Sequence, residues 1–157
     1  MSFFRRRVLE PIVTLLRQGV TPERVALSLA FGVVLGIFPV LGTTTVLVTA
    51  AALVWRLNLA AIHVVHFAMT PVQILLIIPF VRLGEHLLAV APQPLSIEAG
   101  MALIAAGASH AVVVLWDAIV HAVLGWLVLG PIAIYVLYRA LRPLLTGLTQ
   151  RLARRAA

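Results

Sequence analysis

Apolar positions in this chain come in long blocks, and the residues that interrupt them are mostly Pro, Gly, Thr and Arg. The clearest block runs from Val25 to Asn58. Two apolar arms, VALSLAFGVVLGIF and VLVTAAALVWRLN, flank the break PVLGTTT. As helices of about fourteen residues, the arms would each be roughly 20 Å long. That is shorter than the roughly 30 Å hydrocarbon core of a bilayer. Pro39 removes a backbone donor, Gly42 permits a reversal, and Thr43, Thr44 and Thr45 offer hydroxyls to cap the next helix. Residues 22–58 therefore read as a first helical hairpin, re-entering a membrane with its tip at Phe38 to Thr44.

The pattern then returns. Leu59 to Met69 is apolar, Thr70-Pro71-Val72-Gln73 interrupts, and Ile74 to Ala91 follows, bent at Pro79. Thr70 and Gln73 have capping-box spacing, with Pro71 at the first helical position. This predicts a second Pro-broken hairpin over 59–91, in tandem with the first, leaving for water at Arg82, Glu85 and His86. Residues 96–141 read as a short helix, Ile97 to Ala106, feeding a long span from Ala111 to Leu141. Trp116, Trp126, Tyr135 and Tyr138 would anchor that span at the interfaces. Residues 1–19 alternate on a helical period, as in a helix lying in the interface plane. Thr21-Pro22-Glu23 starts the next helix, and 142–157 form a basic tail.

Composition settles the class. Of 157 residues, 62% are hydrophobic and 11% charged, with a mean hydropathy of +1.11. Soluble domains carry about a quarter charged residues. The expected fold is a single all-α integral membrane domain over 1–157. Without cysteine there is no disulfide and no thiolate metal site. Net charge is +7, with Arg5, Arg6, Arg7, Arg17 and Arg24 before the first arm and Arg139, Arg142, Arg151, Arg154 and Arg155 after the last. Clusters flanking apolar spans signal positive-inside topology and anionic lipid rather than nucleic acid, so both termini are expected in the cytoplasm. Parity resists this. Two hairpins return the chain to its starting side, so 97–107 must also cross or dip if the final span is to end there.

Candidate chemistry is sparse. No catalytic Ser-His-Asp order, phosphate loop or nucleotide motif appears, and neither an enzyme nor a cofactor is expected. Asp117 and His121, four apart within an apolar run, form a candidate polar pair. A metal held by these with His63 and His66 is the weaker reading, and no metal is expected. Ser28, Gly32 and Gly36 share a helix face suited to close packing, between subunits or between the hairpins. The breaks are the strongest candidates: Pro39, Gly42, Thr43, Thr44, Thr70, Pro71 and Gln73. Two helix starts brought together inside a membrane would aim free N–H groups and positive dipole ends at one anion.

TPERVALSLAFGVVLGIFPVLGTTTVLVTAAALVWRLNLAA, followed by TPVQILLIIPFVRLGEHLL, resembles the bacterial family called domain of unknown function 2062. The similarity covers roughly Val20 to Leu88, plus the late Gly-Pro and Tyr of the last span. It rests on the T-P-E start, the G-x-x-x-G, the F-P-x-x-G-T break and the R-L-N close; members often carry Asn where His66 stands. The resemblance implies a multi-pass protein of the bacterial inner membrane, with no established activity. Some members are joined to a glycosyltransferase, which points towards envelope lipid or glycan handling. Two functions follow as expectations: transport or lipid handling, with an anionic, phosphate-bearing lipid or small anion at the tips; or a non-catalytic scaffold that oligomerises through Ser28, Gly32 and Gly36. Either is expected to be a homo-oligomer.

Overall fold

The computed structural model describes residues 14, 20–93, 98, 105 and 108–156. The expected interfacial helix 1–19 and short helix 97–107 lie outside the described residues, apart from Thr14, Glu98 and Ala105. The rest is all-helical, in four helices: α1 (Pro22–Gly36), α2 (Thr44–Val54), α3 (Leu59–Leu88) and α4 (Ala108–Ala156).

The first hairpin forms where the sequence places it. Thr21 caps α1 by accepting from the Arg24 N–H, and Pro22 occupies the first turn. The helix ends before Pro39, and the chain reverses at Gly42, whose φ of +85° lies in the left-handed region. α2 runs back to the starting end. There Asn58 caps α3 through Oδ1, while its own N–H donates to Ser28 Oγ at 2.9 Å. α3 thus begins beside Ser28 and runs parallel to α1.

The second hairpin does not form. α3 is one helix of 30 residues passing through both Pro71 and Pro79. A proline alone removes one intrahelical hydrogen bond and bends the rod. Reversal at the first break needed Gly42 as well, and no glycine follows Pro71 before Gly84. The tail is likewise no separate element, because α4 continues through Pro131 and Pro143 to Ala156.

α3 and α4 are both long and apolar enough to cross a membrane. Within the bundle the hairpin returns to its starting end, α3 leads away from that end and α4 leads back to it. Arg142 of α4 lies 3.5 Å from Glu23 of α1, so α4 returns to the end of the bundle where α1 starts, the arginine end.

In lipid, helices gain little from hydrophobic exclusion, so close packing must hold them together. Glycines provide it. A Cβ on Gly32 would lie 2.8 Å from Ile62 O, and one on Gly36 3.0 Å from Met69 Cβ. The Ser28-Gly32-Gly36 face therefore packs α1 on α3 within one chain. Gly84 of α3 sits on the His121 backbone of α4, and Gly125 of α4 on Phe80 and Gly84 of α3. Val34, Val48, Ile62, Phe80, Ala122 and Trp126 fill the centre. Val25, Leu29, Val65 and Leu145 fill the arginine end. Outward faces are apolar: Val46, Leu53, Leu75 and Trp116 are each largely exposed.

Candidate functional site

The site is built on the unfinished end of α1. Pro39 has no N–H for Leu35 O, and Phe38 N turns to Leu35 O in its place, so Val34 O loses its helical partner; Phe38 O, past the helix end, has none. Side chains of the two spanning helices replace them. Trp126 Nε1 donates to Val34 O at 3.0 Å, its ring meeting Phe38 edge-on at 5.0 Å. Gln73 Nε2 donates to Phe38 O at 2.6 Å. Gln73 is buried, and it is the fifteenth of the 30 residues of α3. The hairpin tip is therefore held halfway along that helix, roughly 20 Å from each end at 1.5 Å per residue. Trp126, expected at an interface, is buried at this depth because its indole N–H has a carbonyl to satisfy. Trp126→Phe should lower stability by about 1–3 kcal/mol, the penalty for leaving a buried acceptor without a donor, measurable by thermal unfolding in detergent.

α2 starts at the tip, and its start is bare. Thr43 occupies the cap position, yet its hydroxyl donates to Val40 O at 2.9 Å instead of capping. Leu47 N is the first to reach back, to Thr43 O. Among the described residues nothing accepts from the N–H groups of Thr44, Thr45 or Val46. Leu41, Gly42, Thr43 and Thr45 are exposed, whereas Thr44 is buried.

A polar seam descends from there between α2 and α3. Thr45 Oγ1 lies 3.3 Å from His66 Nε2, and Thr49 Oγ1 lies 3.2 Å from His63 Nε2. Thr49 Oγ1 also donates to Thr45 O at 2.8 Å. A hydroxyl has one proton, so His63 must donate through Nε2 to Thr49. His66 is buried, and its Nδ1 has no partner. Thr70 stands one turn beyond His66 on the same face of α3, exposed, and no hydrogen bond is made by its hydroxyl among the described residues.

The break residues thus meet in part. Gln73 reaches the first tip through Phe38, and Thr70 shares the face that α2 packs against. Thr70 and Pro71 do not start a helix, however, so one free helix start occupies this depth where two were expected. Asp117 and His121 are not joined by a hydrogen bond or ion pair. Asp117 is exposed, and His121 lies within electrostatic reach of Glu85. Glu85, expected near water, is buried, bonded at 2.8 Å to Arg82 and at 2.8 Å to the Gln93 N–H. His63 and His66 lie far from these groups: Gly84, beside His121, is 18 residues further along α3 than His66, about five turns or roughly 27 Å. Among the described residues no cluster of three or more His, Cys, Asp or Glu could hold a metal.

A family model described as uncharacterized protein conserved in bacteria, DUF2062, matches residues 3–154. The chain belongs to that family. No curated protein and no solved structure matches it. In this DUF2062 chain, sequence reasoning named His63 and His66 only as candidate metal ligands and Trp126 only as an interface anchor, and it missed their actual partners. Histidines on an apolar helix carry no sign of their partners, and Trp126 resembled an interface anchor. The signal that was available lay in α1, whose proline-terminated end had to leave carbonyls for other helices to satisfy.

Proposed function

We propose that this DUF2062 protein is a multi-pass protein of the bacterial inner membrane that transports or handles a phosphate-bearing lipid or small anion at the start of α2. The observation that carries this reading is the position of that start. Three unpaired N–H groups lie between the levels of His66 and Gln73, the eighth and fifteenth residues of a membrane-length helix. Hydrocarbon cannot satisfy them, at a cost of several kcal/mol per group, whereas an anion or a water-lined cavity can. Thr43 and Thr45 carry hydroxyls at this same start, Thr70 lies on the α3 face that bears His63 and His66, and the N-terminal dipole adds positive potential. A second copy would screen the exposed tip from acyl chains, which makes a homo-oligomer part of the reading. The arginine-rich flanks of the apolar region support a cytoplasmic orientation for the end where Glu23 and Arg142 meet. The scaffold alternative loses its surface, because the Ser28-Gly32-Gly36 face is covered within the chain by α3.

Photoactivatable phosphatidylglycerol and phosphatidylcholine in proteoliposomes test the site. Anionic-lipid adducts should concentrate on residues 41–46 and on Thr70. Equal labelling by the two lipids, or adducts confined to the outward faces of α3 and α4, would refute it.

A further inference from the structure

We infer that His66 binds a proton together with the anion, so that the site takes up the two as a neutral pair; this rests on the reading of the α2 start as an anion site. His66 is 3% exposed. One ring nitrogen touches Thr45, the second residue of α2, at 3.3 Å. The other, Nδ1, is buried and has no partner. An unsatisfied buried polar atom is uncommon and calls for an explanation. A ring nitrogen that can gain or lose a proton beside a bare helix start supplies one.

The surroundings then fix the sign of the effect. His63, on the same helix, has its ring centre 6.1 Å away and would repel a second positive charge. α2 presents the hydroxyls of Thr45 and Thr49, and α1 presents Gly36, whose Cβ position lies 3.2 Å from His66 Cα. No hydrogen bond or ion pair joins either histidine to a charged side chain among the described residues. Glu23 pairs with Arg142 at the arginine end, where Arg24 and Arg56 also stand; Arg82, Glu85, His121 and Asp117 lie at the other end. An imidazolium here lacks a counter-charge, and an isolated charge in this interior is costly. An anion at the α2 start would provide that counter-charge. The imidazolium would in turn attract the anion through Thr45. Each ligand then raises the affinity for the other by the same factor, as linkage requires. A monoanion and a proton together carry no net charge, so their joint movement would not work against the membrane potential.

The test uses the purified full-length protein in nanodiscs and two probes that do not titrate near neutrality: dimethyl phosphate and short-chain phosphatidylglycerol. Binding is measured by calorimetry at about pH 5.5 and pH 8, in two buffers of different ionisation enthalpy, which counts protons taken up per anion. Affinity should fall at least tenfold from the lower to the higher pH, with net proton uptake on binding. His66→Gln should bind with no such dependence, and His63→Gln should keep it. Binding of both probes identifies the phosphodiester as the recognised group; binding of the lipid alone assigns the lipid as the source. Equal affinity at both pH values with no proton uptake by the wild type overturns the inference while leaving the anion site standing. So does a His66→Gln protein that keeps the dependence. Should His66→Gln not fold, the proton count on the wild type together with Thr45→Val, expected to weaken the dependence, decides. Absence of binding by either probe at either pH removes the site and the inference together.

Discussion

Gly84→Ala should prevent α3 and α4 from packing as they do. The added methyl would coincide with the carbonyl of His121, on the backbone of the facing helix. Overpacking usually costs about 1–3 kcal/mol, with relief from side chains that can turn aside. Here the obstacle is main chain, and the helices must separate. The loss should reach or exceed the upper end of that range. Gly125→Ala, which meets Phe80 O, should behave similarly. Gly32→Ala, at 2.8 Å from Ile62 O, should be milder, and Gly36→Ala, at 3.0 Å from a side chain, milder still. Gly147 has open space around it in a helix, so Gly147→Ala should stabilise by roughly 0.5–1 kcal/mol. Thermal unfolding of the five proteins in one detergent gives the order. Gly84→Ala melting with the wild type would show that the crossing is not as close as described.

Gln73→Leu should release the hairpin. Leucine fits the space but cannot donate, and Phe38 O would then lie at mid-depth with no partner. The cost should be about 1–3 kcal/mol, the penalty for an unsatisfied buried acceptor. Gln73→Glu should cost more, since a carboxylate would face a carbonyl oxygen that had been 2.6 Å from the amide nitrogen. The distinguishing measurement is local. Backbone amide exchange in residues 37–46 should quicken in both variants, while α3 and α4 below the arginine-end core keep their protection. Unchanged exchange at the tip would mean that Gln73 does not hold it.

Much of the architecture could be read before any coordinates. Pro39 with Gly42 announced a reversal, because one residue ends a helix and the other can turn the chain. Thr21-Pro22 announced a helix start through capping chemistry that acts within four residues; Asn58, read only as the close of the first hairpin, proves to be the cap of α3. The second break misled for a related reason. Thr70-Pro71-Val72-Gln73 has the local composition of a cap, but whether a proline bends or ends a helix depends on what packs around it. Gln73 was conspicuous in an apolar run, and its role was invisible because its acceptor is 35 positions away. Trp126 and Val34 are separated by 92 positions. The Ser28-Gly32-Gly36 face was legible as a packing face, though its partner was left open between another subunit and the same chain. Gly84 and Gly125 gave no such sign, each standing alone where no four-residue repeat of small residues marks a stripe.

The half-depth hairpin also constrains how the protein is made. Its arms of 15 and 11 residues are too short to be secured across a bilayer by themselves. α3 and α4 are each long and apolar enough to cross a membrane, but they are synthesised afterwards. The clasp that sets the hairpin's depth, from Trp126 and Gln73, comes from exactly those later helices, so to speak from the chain's own future. The hairpin is therefore completed only by helices made after it. Until residue 126 has been made, Val34 O lacks the donor that holds it, and the tip has no fixed seat.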